Sequence, residues 1–209
     1  MKPIVIVNFK AYEQGTGEKA QRLSQICSEF GAWVAVQPTD IRLCAPHATV
    51  LGQHVDAEGF GAHTGSVLCE AIKQAGAVGS LINHAEKKMT DEEVGTRVLR
   101  LKELGMTSIV CAENLDRAQR LKQYNPDYLA LELPELIGGD ISIITAQPGI
   151  VKQAVELLGK NVLLGAGVSS GADLKQALDE GAAGVLLASA IVSKTDDPQS
   201  ALRELYSKI

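Results

Sequence analysis

Glu132 stands where a carboxylate can act as a base. It follows Tyr128–Leu131, a short apolar run of the kind that forms a strand buried on both faces. Pro134 and then Gly138-Gly139 come after it, so the acid lies at the root of a loop that proline interrupts and glycine frees. A base beneath a movable lid is the chemistry this pattern fits. Other reactive groups end other apolar runs. Asn8 and Lys10 follow Ile4–Val7, and His84 follows Val78–Ile82. Gly165-Ala166-Gly167 and Ala188-Ser189 follow two more runs and offer free backbone N–H groups, which suit an anion. Singly, each has a plain structural explanation: a solvated lysine, a satisfied histidine, an ordinary turn. Their significance depends on whether the fold brings them to one place.

The elements that would do so alternate regularly. Strands are predicted at Ile4–Val7, Trp33–Val36, Val50–Gln53, Val78–Ile82, Ser108–Cys111, Tyr128–Leu131, Val162–Gly165 and Gly184–Leu187. Helical periodicity falls between them, over about 17–30, 39–45, 66–75, 90–104, 114–123, 146–159 and from 171, with a last helix opened by Asp197-Pro198. Thr90 and Glu93 have the spacing of a capping box. Gly76–Ile82 resembles Gly181–Leu187, a weak internal repeat in which a helix-ending glycine leads into a buried strand. Eight strands, each buried on both faces and each followed by a helix, close best as a single (β/α)8 barrel over residues 1–209, at roughly 26 residues per unit near the lower limit for that architecture. A doubly wound open sheet is the alternative, but Asn8-Phe9-Lys10 is not the glycine-rich fingerprint expected after its first strand. In a barrel the chemistry gathers at the C-terminal strand ends, where all the groups above fall, and phosphate sites usually follow strands seven and eight.

Composition removes other classes. The chain is 22% charged and 45% hydrophobic, ordinary for a soluble globular domain, and its net charge of −5 with 4% aromatic residues argues against nucleic acid as a partner. No run of about 18 apolar residues is present, so no membrane span is expected, and the N-terminus lacks the pattern of a signal peptide. Cys27, Cys44, Cys69 and Cys111 are widely spaced, which points to reduced, mostly buried thiols and a cytoplasmic protein rather than a metal site or disulfides.

Five motifs carry a resemblance that covers essentially the whole chain: Val7-Asn8-Phe9-Lys10, Gly61–Gly65, Leu81–Lys88, Glu132–Gly138 and Val185–Ser189. Together they resemble triosephosphate isomerase in the short form typical of archaea. That resemblance implies interconversion of dihydroxyacetone phosphate and glyceraldehyde 3-phosphate through an enediolate. A glutamate base, a neutral histidine electrophile and a closing loop are this family's known pattern. Carried over, Glu132 removes the proton beside the carbonyl, and His84 and Asn8 donate to the substrate oxygens. Lys10 offsets negative charge, with Glu86 supporting it. The N–H groups around Gly138, Gly167, Ala188 and Ser189 would hold the phosphate. Ile137 and Leu186 would clamp Glu132 and exclude water. The resemblance implies neither a metal nor an organic cofactor. It also implies a homodimer or homotetramer, with the Thr64 loop reaching a neighbouring subunit.

Two positions depart from the family pattern. Ala85 stands where serine usually follows the histidine, and Leu133 where proline usually follows the glutamate. They bear on catalytic power and lid motion more than on reaction type. They are also the sole support for a non-catalytic triose-phosphate binder. Another sugar-phosphate barrel enzyme could share the phosphate loops without needing His84 and Glu132 as a pair.

Overall fold

The computed structural model describes residues 3–137, 139 and 141–209. Eight parallel strands close in sequence order: β1 (Ile4–Asn8), β2 (Trp33–Val36), β3 (Val50–Gly52), β4 (Gly79–Ile82), β5 (Thr107–Ala112), β6 (Tyr128–Leu131), β7 (Val162–Leu164) and β8 (Gly184–Leu187), with β8 returning to β1. The helices in chain order are α1 (Glu18–Glu29), α2 (Ile41–Cys44), α3 (Cys69–Ala75), α4 (Asp91–Glu103), α5 (Leu115–Lys122), α6 (Ile143–Ala146), α7 (Ile150–Leu158), α8 (Gly171–Asp179), α9 (Ser189–Val192) and α10 (Pro198–Tyr206).

Strand alternation splits the core in two. Val5 and Val7 of β1 face outward against the helices, while Ile6 faces inward with Ala35, Leu51, Leu81, Ile109, Ala130, Leu163 and Leu186. Ile4, Trp33, Tyr128 and Ala183 pack against this inner cluster, the Trp33 and Tyr128 rings meeting edge to face at 6.4 Å. The barrel is therefore filled, and what the strands present at their C-terminal tips rests on packed side chains. All four cysteines are buried and free.

The helix expected over 146–159 begins only at Ile150, and a short separate helix precedes it. A 3-10 turn at Pro134–Leu136 is followed by α6 and α7, which break at Gln147–Gly149. Pro148 disfavours the helical region for Gln147, which takes φ −131°, and Gly149 adopts φ +85°. The helix expected from residue 66 begins only at Cys69, because Val67 pairs back with Asp56: its N–H donates to Asp56 Oδ2 at 2.8 Å and its carbonyl accepts from Asp56 N–H at 2.9 Å. Helix α9, directly after β8, was not expected. The Thr90–Glu93 capping box and the Asp197 cap are both formed.

Candidate active site

Asn8, Lys10, His84, Glu132, Ile137, Gly167, Leu186, Ala188 and Ser189 converge on one cavity of about 100 Å³ at the C-terminal strand ends. Gly138 lies outside the described residues. Leu186 belongs to the inner barrel cluster, so it forms the floor of this cavity rather than part of a loop above it. Thr64 is on an exposed loop and does not line the cavity.

Lys10 has φ +48°, in the left-handed region, and hydrogen bonds over-determine it. Its N–H donates to Asn8 Oδ1 at 3.0 Å, its carbonyl accepts from Gln53 Nε2 at 2.8 Å, and its ammonium donates to Glu86 Oε1 at 2.8 Å. Glu86 is 58% exposed, so this ion pair contributes at most about 1 kcal/mol to stability; its effect is to aim the lysine.

His84 is buried at the tip of β4. The N–H of Glu86 donates to its Nδ1 at 3.2 Å, closer than the Glu86 carboxylate at 3.6 Å. Nδ1 is thus an acceptor, and the ring proton belongs on Nε2, which faces Glu132 Oε2 at 3.6 Å. The preceding Asn83 has φ +60° and is buried. It donates from Nδ2 to the Cys111 carbonyl at 2.8 Å and accepts the Met89 N–H at 2.8 Å, which fixes the turn that presents His84.

Glu132 is 6% exposed, and its Oε2 is buried with no hydrogen-bond partner among the described residues. An unsatisfied buried acceptor costs about 1–3 kcal/mol, more when charged, and such orphans concentrate at working sites. Gly165 lies against it: a methyl at 165 would collide with Glu132 Cγ and stand 2.9 Å from Oε1. Cys111, at the tip of β5, is the other close neighbour. Burial pushes its thiol well up, and the Glu132 carboxylate beside it pushes it further, so the thiol stays protonated.

A further wall is formed by Ala166-Gly167-Val168-Ser169 with Ala188-Ser189-Ala190. Ala166 and Gly167 are both left-handed, at φ +64° and +69°, and a methyl added at Gly167 would stand only 2.7 Å from the Ile141 carbonyl carbon. Asp173 ties this wall to the segment after β6: Oδ2 accepts from Ser170 Oγ at 2.8 Å, and Oδ1 from Ser142 Oγ at 2.6 Å. Among the described residues, no group of three or more His, Cys, Asp or Glu converges as a metal site. No helix among them is long and apolar enough to cross a membrane.

Sequence reasoning missed Asn83, Gln53, Lys194 and the Glu132 contact of Cys111. Strand-tip position alone would have flagged Cys111 and Gln53. Nothing local marks Asn83, whose partners are 28 and 6 residues away.

The family model for triosephosphate isomerase matches residues 3–205. The triosephosphate isomerase of Methanothermobacter thermautotrophicus is 44% identical, over 99% of this chain and 96% of its own. That of Methanosarcina barkeri is 43% identical, over 99% of each. Among solved structures, the triosephosphate isomerase of Bartonella henselae superposes with a TM-score of 0.76 over 100% of both chains at 20% identity, a likeness of fold.

Proposed function

This chain belongs to the triosephosphate isomerase family, and we propose that it interconverts dihydroxyacetone phosphate and glyceraldehyde 3-phosphate with Glu132 as the base. The observation that carries the assignment is the buried, unpartnered Glu132 Oε2, 3.6 Å from the protonated nitrogen of His84. A base and a hydrogen-bond donor at that separation can address neighbouring atoms of one small substrate. Glu132 takes the proton from the carbon beside the carbonyl, forming a protonated carboxyl and an enediolate. His84 Nε2 and Asn8 donate to the oxygens on which negative charge develops, and Lys10 lowers the energy of that charge electrostatically. The proton then returns from Glu132 to the neighbouring carbon, while the hydroxyl proton passes from one substrate oxygen to the other through His84 Nε2, which ends as it began.

Glu86 supports two partners at once: its carboxylate aims Lys10 and its N–H sets the His84 tautomer. The phosphate lies against the backbone of Gly167, Ala188 and Ser189, with Gly138 as a further ligand. Ile137 above and Leu186 below exclude water from Glu132, which strengthens the base. The whole span 1–209 acts as one catalytic barrel. It works in the cytoplasm, in keeping with four free, buried thiols. It assembles as a homodimer or homotetramer through the exposed Gly61–Gly65 loop, beside which Phe60 is 72% exposed.

A coupled assay with glyceraldehyde 3-phosphate tests the reading. Wild-type turnover with Glu132→Gln close to background is expected; a folded wild type with no turnover would sink it, as would a Glu132→Gln variant that keeps most of its activity.

A further inference from the structure

We propose that Lys194 is a second cationic substrate-binding residue, recognising the phosphate dianion from the β8 side of the cavity; this rests on the isomerase reading above. Two cations border the cavity among the described residues, Lys10 and Lys194. The charge of Lys10 is already matched by Glu86 at 2.8 Å, and Glu132 adds a negative charge to the same cavity. The chain as a whole carries −5, so a dianion approaches against both the local and the overall field. Backbone N–H groups can hold an oxyanion, but as neutral donors they discriminate poorly between one charge and two. Lys194 supplies what they lack.

Its position follows from the turn after β8. The Lys194 N–H donates to the Ser189 carbonyl at 2.8 Å, so the end of α9 folds the lysine back beside Ser189, and the residue lines the cavity together with Ala190. Lys194 is exposed and has a contact of its own within the chain. Binding therefore exchanges one partner for another, and a modest effect is expected, on substrate affinity rather than on the chemical step.

The test compares wild type, Lys194→Met and Lys194→Arg by steady-state kinetics and by equilibrium titration with inorganic phosphate, with thermal melting as the check on folding. Methionine keeps the apolar stem, so the variant isolates the charge. Loss of one partly screened charge corresponds to about a five- to tenfold rise in KM for glyceraldehyde 3-phosphate, with kcat within about a factor of two. Inorganic phosphate should weaken by the same factor in Lys194→Met and recover in Lys194→Arg. Unchanged KM and unchanged phosphate affinity in Lys194→Met would overturn the proposal, and so would a loss confined to kcat. Failure of the isomerase reading would look different: wild type would not turn over, while the phosphate titration would still report on Lys194.

Discussion

The two walls of the cavity are held by different means. On the β1–β4 side, Lys10 is fixed through its N–H, its carbonyl and its ammonium, and His84 through its ring, its carbonyl and the bonds of Asn83. On the β6–β7 side, Glu132 is hydrogen-bonded through its backbone to the Ala112 carbonyl, and its Oε2 has no hydrogen-bond partner among the described residues. Beyond it, among the described residues, the turn makes local bonds: Leu136 N–H to the Leu133 carbonyl, Ile137 to Pro134, Gly139 to Leu136. The segment is tied back at its far end, where Ser142 meets Asp173 and the Ile143 N–H reaches the Ala166 carbonyl at 3.1 Å. One wall is thus a preformed electrostatic template, and the other carries Glu132, the proposed base, on a segment anchored at both ends. Donors to a developing oxyanion gain from being immobile, whereas a base under a lid must admit substrate before it is enclosed.

The largest expected effect removes the proposed base. Glu132→Gln keeps shape and removes the proton acceptor, so kcat should fall by about 10³-fold or more with thermal stability unchanged or raised, since a neutral amide is easier to bury. A stability loss matching the activity loss would mean that Glu132 is a structural group and that the two walls do not differ as described.

Gly165→Ala probes the same wall more gently. The added methyl must displace the Glu132 side chain, which is flexible, so folding should cost little while kcat falls by about 10–100-fold. Full activity in a well-folded variant would show that the carboxylate has more freedom than the close approach allows.

Asn83→Ala tests the template wall, where activity and stability should fall together. It removes two buried hydrogen bonds and leaves a φ of +60° unsupported. A loss of about 2–4 kcal/mol by denaturant titration and roughly a tenfold lower kcat are expected. Wild-type stability with impaired kcat would place Asn83 in the chemistry instead.

The smallest effects are expected at the two family departures. Leu133 has φ −73°, which proline accepts, but its side chain is 7% exposed and packs in the main core beside Leu115 and Ile150. Leu133→Pro should therefore lose about 1–3 kcal/mol of packing against a gain of under about 1 kcal/mol from a stiffer unfolded chain, with kcat/KM changed by less than about threefold. Ala85 shares a small gap with Glu132, Asn83 and Cys111. Ala85→Ser offers a hydroxyl to the orphan oxygen and should raise stability by about 1 kcal/mol, with kcat/KM within about twofold. Steady-state kinetics and melting curves on both variants, and on the double, check these expectations; an effect beyond tenfold on kcat/KM would mean that lid equilibrium limits turnover.

The sequence by itself determined the strand count, the barrel and which polar groups stand at its strand tips. Each of these is written locally: an apolar run of four or five residues is a buried strand, a capping pair starts a helix, and a group at a run's C-terminal end must face the mouth of a closed parallel barrel. Local pattern also misled, as at 146–159, where Pro148-Gly149 outweighed helical periodicity, and at 66–68, where Asp56 captured the backbone of Val67. The tertiary structure alone decided which nitrogen of His84 carries the proton, that Glu132 Oε2 is buried without a hydrogen-bond partner among the described residues, that a methyl at Gly165 would press on Glu132, and that Leu133 is core. Those properties depend on atoms contributed by strands far apart in the chain, where tenths of an ångström separate a hydrogen bond from a gap, and no spacing along a sequence encodes such distances.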